Sequence, residues 1–150
     1  MEILSAEEKD LSEILTLQKL CYVENAVRYN NYSIPPLTQD LASIRKDHKN
    51  GTILKAVVGQ NIIGSVRAYE KDKTCYIGRL IVHPDHQNKG IGSTLLFAIE
   101  SRFSTAERYE LFTGWKDEKN LHLYKRNGYA VFKEEELNEK TRLVYLEKRK

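Results

Sequence analysis

Two rhythms of apolar and polar residues divide this chain. Leu11, Ile14, Leu15, Leu17, Leu20 and Cys21 recur at helical spacing, which predicts an amphipathic helix with Ser5 or Ser12 as its cap. The preceding MEILSA predicts a short edge strand. VENAVRYNNYSIPPL keeps neither rhythm, so an irregular segment is expected there, and Pro35-Pro36 should stop any helix. Thr38 is then expected to cap a second helix that runs to about Lys49, with Leu41 and Ile44 inward and Asn50-Gly51 at its end.

Three runs of strand character follow: TILKAVVG, NIIGSVRAYEK and KTCYIGRLIVHP. Gln60-Asn61 and Asp72-Lys73 between them predict tight hairpin turns, hence an antiparallel meander. After Gly90 the helical period returns in Ile91, Leu95, Ile99 and Phe103, with Leu96 beside them. RYELFTGW alternates as a strand. Asp117 is placed to cap a helix over EKNLHLYKRN, which Gly128 would end. YAVFKEEEL and TRLVYLEKR predict two closing strands with a turn near Asn138. The order β-α-α-β-β-β-α-β-α-β-β predicts a mixed α/β sheet around one core.

A length of 150 residues suits a single domain, residues 1–150. Apolar residues make up 41% and charged residues 30%, the balance of a soluble globular protein. The net charge of +3 is scattered, with no stripe of cations and aromatics, so nucleic acid is not the expected partner. A small anionic ligand is compatible with it. Cys21 and Cys75 stand far apart, with no CxxC, so neither a zinc site nor a disulfide is expected and a cytoplasmic setting fits. No basic-then-apolar leader opens the chain, and no apolar run approaches the roughly 20 residues of a membrane span.

The stretch VHPDHQNKGIGSTLLFAIE raises a question of chemistry, because glycines flank Ile91 where a strand gives way to a helix. A helix N-terminus presents free N–H groups and the positive end of its dipole, and glycine lets an anion approach them. The amides of Gln87, Asn88, Lys89, Gly90, Ile91 and Gly92 would then form a phosphate cradle. Ser93 and Thr94 lie on its first turn, and Lys89 supplies charge. The other reading is that the glycines permit close packing at the helix entry. GxxxxGK[ST] is absent, and GxGxxG fails at Leu95.

The surrounding residues supply more. RLIVHPDHQNKGIGSTLL resembles motif A of the GNAT superfamily of N-acetyltransferases, Q/R-x-x-G-x-G/A, here Gln87 to Gly92 after a V-x-P. NLHLYKRNGYAVF resembles the family's motif B. The resemblance implies a mixed, mostly antiparallel sheet, flanked by about four helices. A V-shaped splay would open between the fourth and fifth strands, which end near Val82 and Thr113. It implies acetyl-CoA as cosubstrate, no metal, and transfer of the acetyl group to a primary amine of a small molecule or peptide. The amine would attack directly in a ternary complex. By the same resemblance, the backbone of Leu80, Ile81 and Val82 lines the pantetheine arm. The Leu80 N–H polarises the thioester carbonyl. The Gln87–Gly92 amides hold the pyrophosphate, Asn120 hydrogen-bonds to the pantetheine or to adjacent backbone, and Tyr124 protonates the leaving thiolate. A non-catalytic module that senses CoA is the alternative, and a homodimer is compatible with the pattern.

The chain departs from the family at one point. Some members carry a Glu base four residues before the Leu80 position, where this chain has Tyr76. Glu24, Glu70 or a water relay are the remaining candidates. His83 and His86 flank Pro84 in a loop without a third ligand, so no metal is expected. His122 is expected to point away from Asn120 and Tyr124, and His48 to lie on a helix end. Trp115 would either wall an acceptor pocket or pack. Tyr22, Tyr29, Tyr32, Glu24 and Arg28 would either meet a cationic or amphipathic amine or cover the edge of the core.

Overall fold

Alternation along the strands decides which side of the sheet each helix covers. In the computed structural model, which describes residues 1–150, the strands are β1 (Glu2–Ser5), β2 (Thr52–Val58), β3 (Asn61–Lys71), β4 (Thr74–Val82), β5 (Arg108–Gly114), β6 (Ala130–Glu136) and β7 (Arg142–Arg149). They form one seven-stranded sheet in the order β1-β2-β3-β4-β5-β7-β6. The helices are α1 (Leu11–Tyr29), α2 (Pro35–Thr38), α3 (Leu41–Asn50), α4 (Ile91–Ser101) and α5 (Glu118–Arg126). Ile53, Ile62 and Ile81 pack against Leu11, Ile14 and Ile44 of α1 and α3. Their sequence neighbours Leu54 and Ile63, together with Val66, face the other way onto Leu95, Leu96 and Ile99 of α4. That is the period of two expected of strands buried on both faces.

β4 and β5 are the one parallel pair, and they part early. Thr74, Cys75 and Tyr76 pair with Arg108, Tyr109 and Glu110, and the ladder stops there. β4 stays paired with β3 as far as Val82, and β5 with β7 as far as Gly114. The two strands are thus held from opposite sides while a V opens between them. β4 also carries a bulge. Ser65 pairs with Ile81 and Arg67 with Gly78, so Arg79 and Leu80 together oppose Val66. Arg79 takes the left-handed conformation there, with φ 51°, and such a bulge bends and re-aims the strand.

Several local expectations are corrected. α1 does not fray after Cys21 but runs on to Tyr29, closed by Asn30 in the left-handed region. Tyr22, Ala26 and Tyr29 carry the inward face where aliphatic residues are lacking. Neither Ser5 nor Ser12 caps α1; a short 3-10 turn at Glu8–Asp10 leads into it, and the Asp10 carboxylate accepts from the Glu7 N–H at 2.8 Å. Pro35 and Pro36 begin α2 rather than stop a helix, because the first turn needs no N–H donors. That short element raises the helix number to five from the expected four. α3 is capped by Asp40, which accepts from the Ser43 N–H at 2.8 Å, and not by Thr38. The first hairpin turns at Gly59-Gln60, not Gln60-Asn61, since Gly59 supplies the left-handed position with φ 63°. Asp72-Lys73 turns as expected, both residues having positive φ. No helix is long and apolar enough to cross a membrane.

Candidate active site

A cavity of about 290 Å³ opens at the wide end of the V. Leu80, Ile81 and Val82 of β4 form one wall, and Cys21, Tyr22, Glu24 and Arg28 of α1 form another. The loop before α4 and the first turns of α5 complete it.

The two glycines serve different ends. Gly90 sits at φ 81°, and a Cβ placed on it would meet nothing within 4 Å. Its role is to curl the backbone, together with Asn88 at φ 63°. Gly92 lets α4 approach α5, since a Cβ there would stand 3.3 Å from Leu123 Cδ2. The close-packing reading thus fits Gly92, and Gly90 answers to backbone conformation. The backbone N–H groups from Gln87 to Ser93 find no acceptor in the protein; Thr94 N–H is the first to bond, to Gly90 O at 3.1 Å. A concave row of free amides at a helix N-terminus attracts anions.

The side chains are arranged less as expected. Gln87 is a clamp: its Nε2 donates to Val82 O at 3.0 Å, and its Oε1 accepts from Lys119 Nζ at 3.1 Å. Ser93 borders the cavity with its Oγ accepting from Asn127 Nδ2 at 3.1 Å. Lys89 and Thr94 are exposed and do not line the cavity. The cations that do are Lys119 and Arg126 of α5, together with Arg28. Sequence reading missed the two on α5, although their seven-residue separation, two helical turns, places them on one face beside Leu123.

Asn120 borders the cavity; Tyr124, one turn on, is only 6% exposed and does not line it. Burial pushes the Tyr124 phenol well above its ordinary value, and Tyr22 and Asp117 add to the shift. His122 is also on the rim, contrary to expectation, because the cavity wraps around more than one face of this short helix. Leu80 is half-buried in the bulge, where β4 has no pairing with β5.

Position separates the candidate bases. Glu70 lies opposite Cys75 at the closed end of the V and accepts from Thr105 Oγ1 at 3.0 Å, so it is removed from the cavity. Tyr76 stacks on Tyr69 at 5.2 Å, also near that end. Glu24 borders the cavity. His86 borders it too, while His83 Nδ1 accepts from the Asp85 N–H at 3.0 Å.

Asp117 stands at the N-cap position of α5, where its backbone oxygen accepts from the Leu121 N–H at 2.9 Å but its side chain does not cap the helix. Its carboxylate, 4% exposed, turns inward. There it accepts from Thr113 Oγ1 at 2.9 Å, Gly114 N–H at 3.1 Å and Asn25 Nδ2 at 3.2 Å, and it pairs with Arg28. This fastens α1 to the end of β5 across the mouth of the V. Asp117→Ala leaves these donors unmatched and should cost about 2–3 kcal/mol, read as a lower urea midpoint, with a smaller loss for Asp117→Asn.

Trp115 walls a second cavity, of about 300 Å³, together with Tyr29, Lys140 and Arg142; Arg28 lines both cavities. Lys116 Nζ lies 5.1 Å from the Trp115 ring. The Tyr29 hydroxyl accepts from the Lys116 N–H at 2.8 Å and covers Gly114, where a Cβ would come within 2.1 Å of it. Tyr29 thus packs the corner, while Tyr32 is exposed and lines neither cavity.

Comparison with known proteins agrees with this architecture. The family model described as Acetyltransferase (GNAT) family matches residues 11–129. The UPF0157 protein YqkA of Bacillus subtilis is 28% identical over 138 residues, which cover 86% of this chain but 37% of that protein. The chain thus spans little more than a third of the length of that relative. Among solved structures, the ribosomal-protein-S18-alanine N-acetyltransferase of Escherichia coli superposes with a TM-score of 0.80 at 12% identity, covering 99% of this chain and 92% of its own. The PaiA N-acetyltransferase of Thermoplasma acidophilum, in complex with coenzyme A, superposes with a TM-score of 0.73 at 21% identity, covering 99% and 98%.

Proposed function

The chain belongs to the acetyltransferase (GNAT) family, and from that premise we propose that it transfers an acetyl group from acetyl-CoA to a primary amine, by direct attack within a ternary complex. The observation that carries this reading is the row of unpaired amides from Gln87 to Ser93 beside a V-shaped gap in the sheet. A pyrophosphate needs many donors and room for its oxygens. The left-handed backbone at Asn88 and Gly90 provides both.

Bound acetyl-CoA supplies the activated thioester. The Gln87–Gly92 amides hold the pyrophosphate, with Ser93 beside them and Lys119 and Arg126 adding charge. Lys89 and Thr94, on the solvent side, contribute only to the surrounding field. The backbone of Leu80, Ile81 and Val82 lines the pantetheine arm, and Asn120 hydrogen-bonds to it. The Leu80 N–H donates to the thioester oxygen and binds it more strongly as negative charge grows there. Tyr124 gives its proton to the departing thiolate. Glu24, which borders the cavity, takes the proton from the amine directly or through water. Holding both reactants in one cavity supplies much of the rate.

Calorimetric titration with acetyl-CoA, with desulfo-CoA and ATP as comparisons, is the test. We expect one-to-one binding of both CoA compounds and none of ATP, followed by thiol release when amines are added. Binding without release under any amine leaves a CoA-sensing module. Absence of binding overturns the reading.

A further inference from the structure

Arg67 and Arg79 lie close together, and only Arg67 has a carboxylate partner, Asp47. Arg67 is 7% exposed, and both its Nη groups are satisfied: Asp47 Oδ2 lies 2.9 Å from its Nη1, and Gln39 and Gln18 accept from the same guanidinium, although its Nε, like that of Arg79, is buried without an acceptor. Arg79 is not satisfied. It takes part in no ion pair, and its Nε is buried without an acceptor. Its guanidinium is close enough to Arg67 that, after burial, it is the next cause of the lowered Arg67 pKa. The other charged or titratable groups that act on the Tyr22 phenol, or on which it acts, are Arg67, Cys21, Asp117 and the neutral Tyr124. Asp117 is already committed to Arg28, and burial raises the Cys21 thiol to about 11, which leaves it neutral.

A guanidinium partly withdrawn from water without a counter-charge is costly, and one anion in the right place offsets that cost. The position of Arg79 says where the anion would sit. It precedes Leu80 in the bulge of β4, and the Tyr22 phenol beside it lines the cavity. An anion bound to Arg79 is therefore within one arginine side chain of the reacting carbonyl. We propose that the acceptor is an amino-carboxylate, such as a free amino acid, whose carboxylate is bound by Arg79 while its amine faces the thioester. The inference rests on the N-acetyltransferase reading. It narrows the expected cationic or amphipathic amine to a zwitterionic one, because the planar guanidinium matches a carboxylate with two parallel hydrogen bonds.

The test uses sets of three acceptors that share a side chain: the amino acid, its amide and its decarboxylated amine, for phenylalanine, glutamate, lysine and alanine. Thiol release from acetyl-CoA gives kcat and KM for each. In at least one set the acid should exceed its amine in kcat/KM by about tenfold to a hundredfold, through KM. Arg79→Met should collapse that ratio, and Arg79→Lys should retain part of it. Calorimetric titration of the amino acids into the protein, with and without desulfo-CoA, reads the same preference where no turnover occurs. Amides or amines matching the acids in every set, a preference that survives Arg79→Met, or no amino acid binding at all would each overturn the proposal. Failure of acetyl-CoA binding would instead strike the enzyme reading, and the amino-acid titration would still report on Arg79.

Discussion

Gly90→Glu weakens acetyl-CoA binding by about a thousandfold while the domain stays folded. The new side chain would leave the backbone where the structure offers open space, on the cavity side of the cradle. A carboxylate about 4 Å from a phosphate charge, at an effective dielectric near 20, is opposed by about 4 kcal/mol. Fold is spared because the buried face of α4, with Leu95, Leu96 and Ile99, is untouched. Gly90→Ala separates the two parts of the effect. It keeps the space clear and adds only the left-handed penalty of about 1 kcal/mol at φ 81°. Calorimetry with acetyl-CoA, beside circular dichroism for folding, reads both variants. Affinity close to wild type in Gly90→Glu would mean that the pyrophosphate lies elsewhere.

Tyr124→Phe lowers turnover about a hundredfold or more and leaves acetyl-CoA affinity within about twofold. The ring is almost fully buried against Tyr129, so phenylalanine keeps its shape and packing. What is lost is the proton. Burial favours the neutral phenol and raises its pKa, so in the wild type Tyr124 remains protonated through the whole range in which the enzyme would be assayed. The wild-type rate should therefore show no alkaline fall from this group below about pH 10, the ordinary phenol value. A thiol-release assay across pH 7 to 10, run with both proteins and one working acceptor, decides this. An undiminished rate in Tyr124→Phe would remove the residue from proton transfer.

Much of the fold was legible because its signals are local. Seven strands, the Asp72-Lys73 turn, the helix after Gly90 and the stop at Gly128 all follow from spacing and turn chemistry within a few residues. The free amides at the head of α4 are of this kind too, since a helix start always leaves its first N–H groups unpaired. The second half of α1 was not legible. Its inward residues are Tyr22, Ala26 and Tyr29, and the last is buried only because it closes over Gly114.

The chain by itself determined the order of elements, the two faces of the sheet and the position of the unpaired amides at the head of α4, because each depends on residues adjacent in sequence. Tertiary structure decided the rest. Arg28 and Asp117 stand 89 residues apart, and only folding makes them one fastening across the V. The Asp117 side chain gave up its helix cap because Thr113, Gly114, Asn25 and Arg28 converge on it from two elements, β5 and α1. Glu70 was excluded from the site, and Arg79 left without a counter-charge, by where β4 pairs and where it bulges. A carboxylate's partner or a cation's solitude is a property of the space around it, and that space is assembled from segments with no local knowledge of one another.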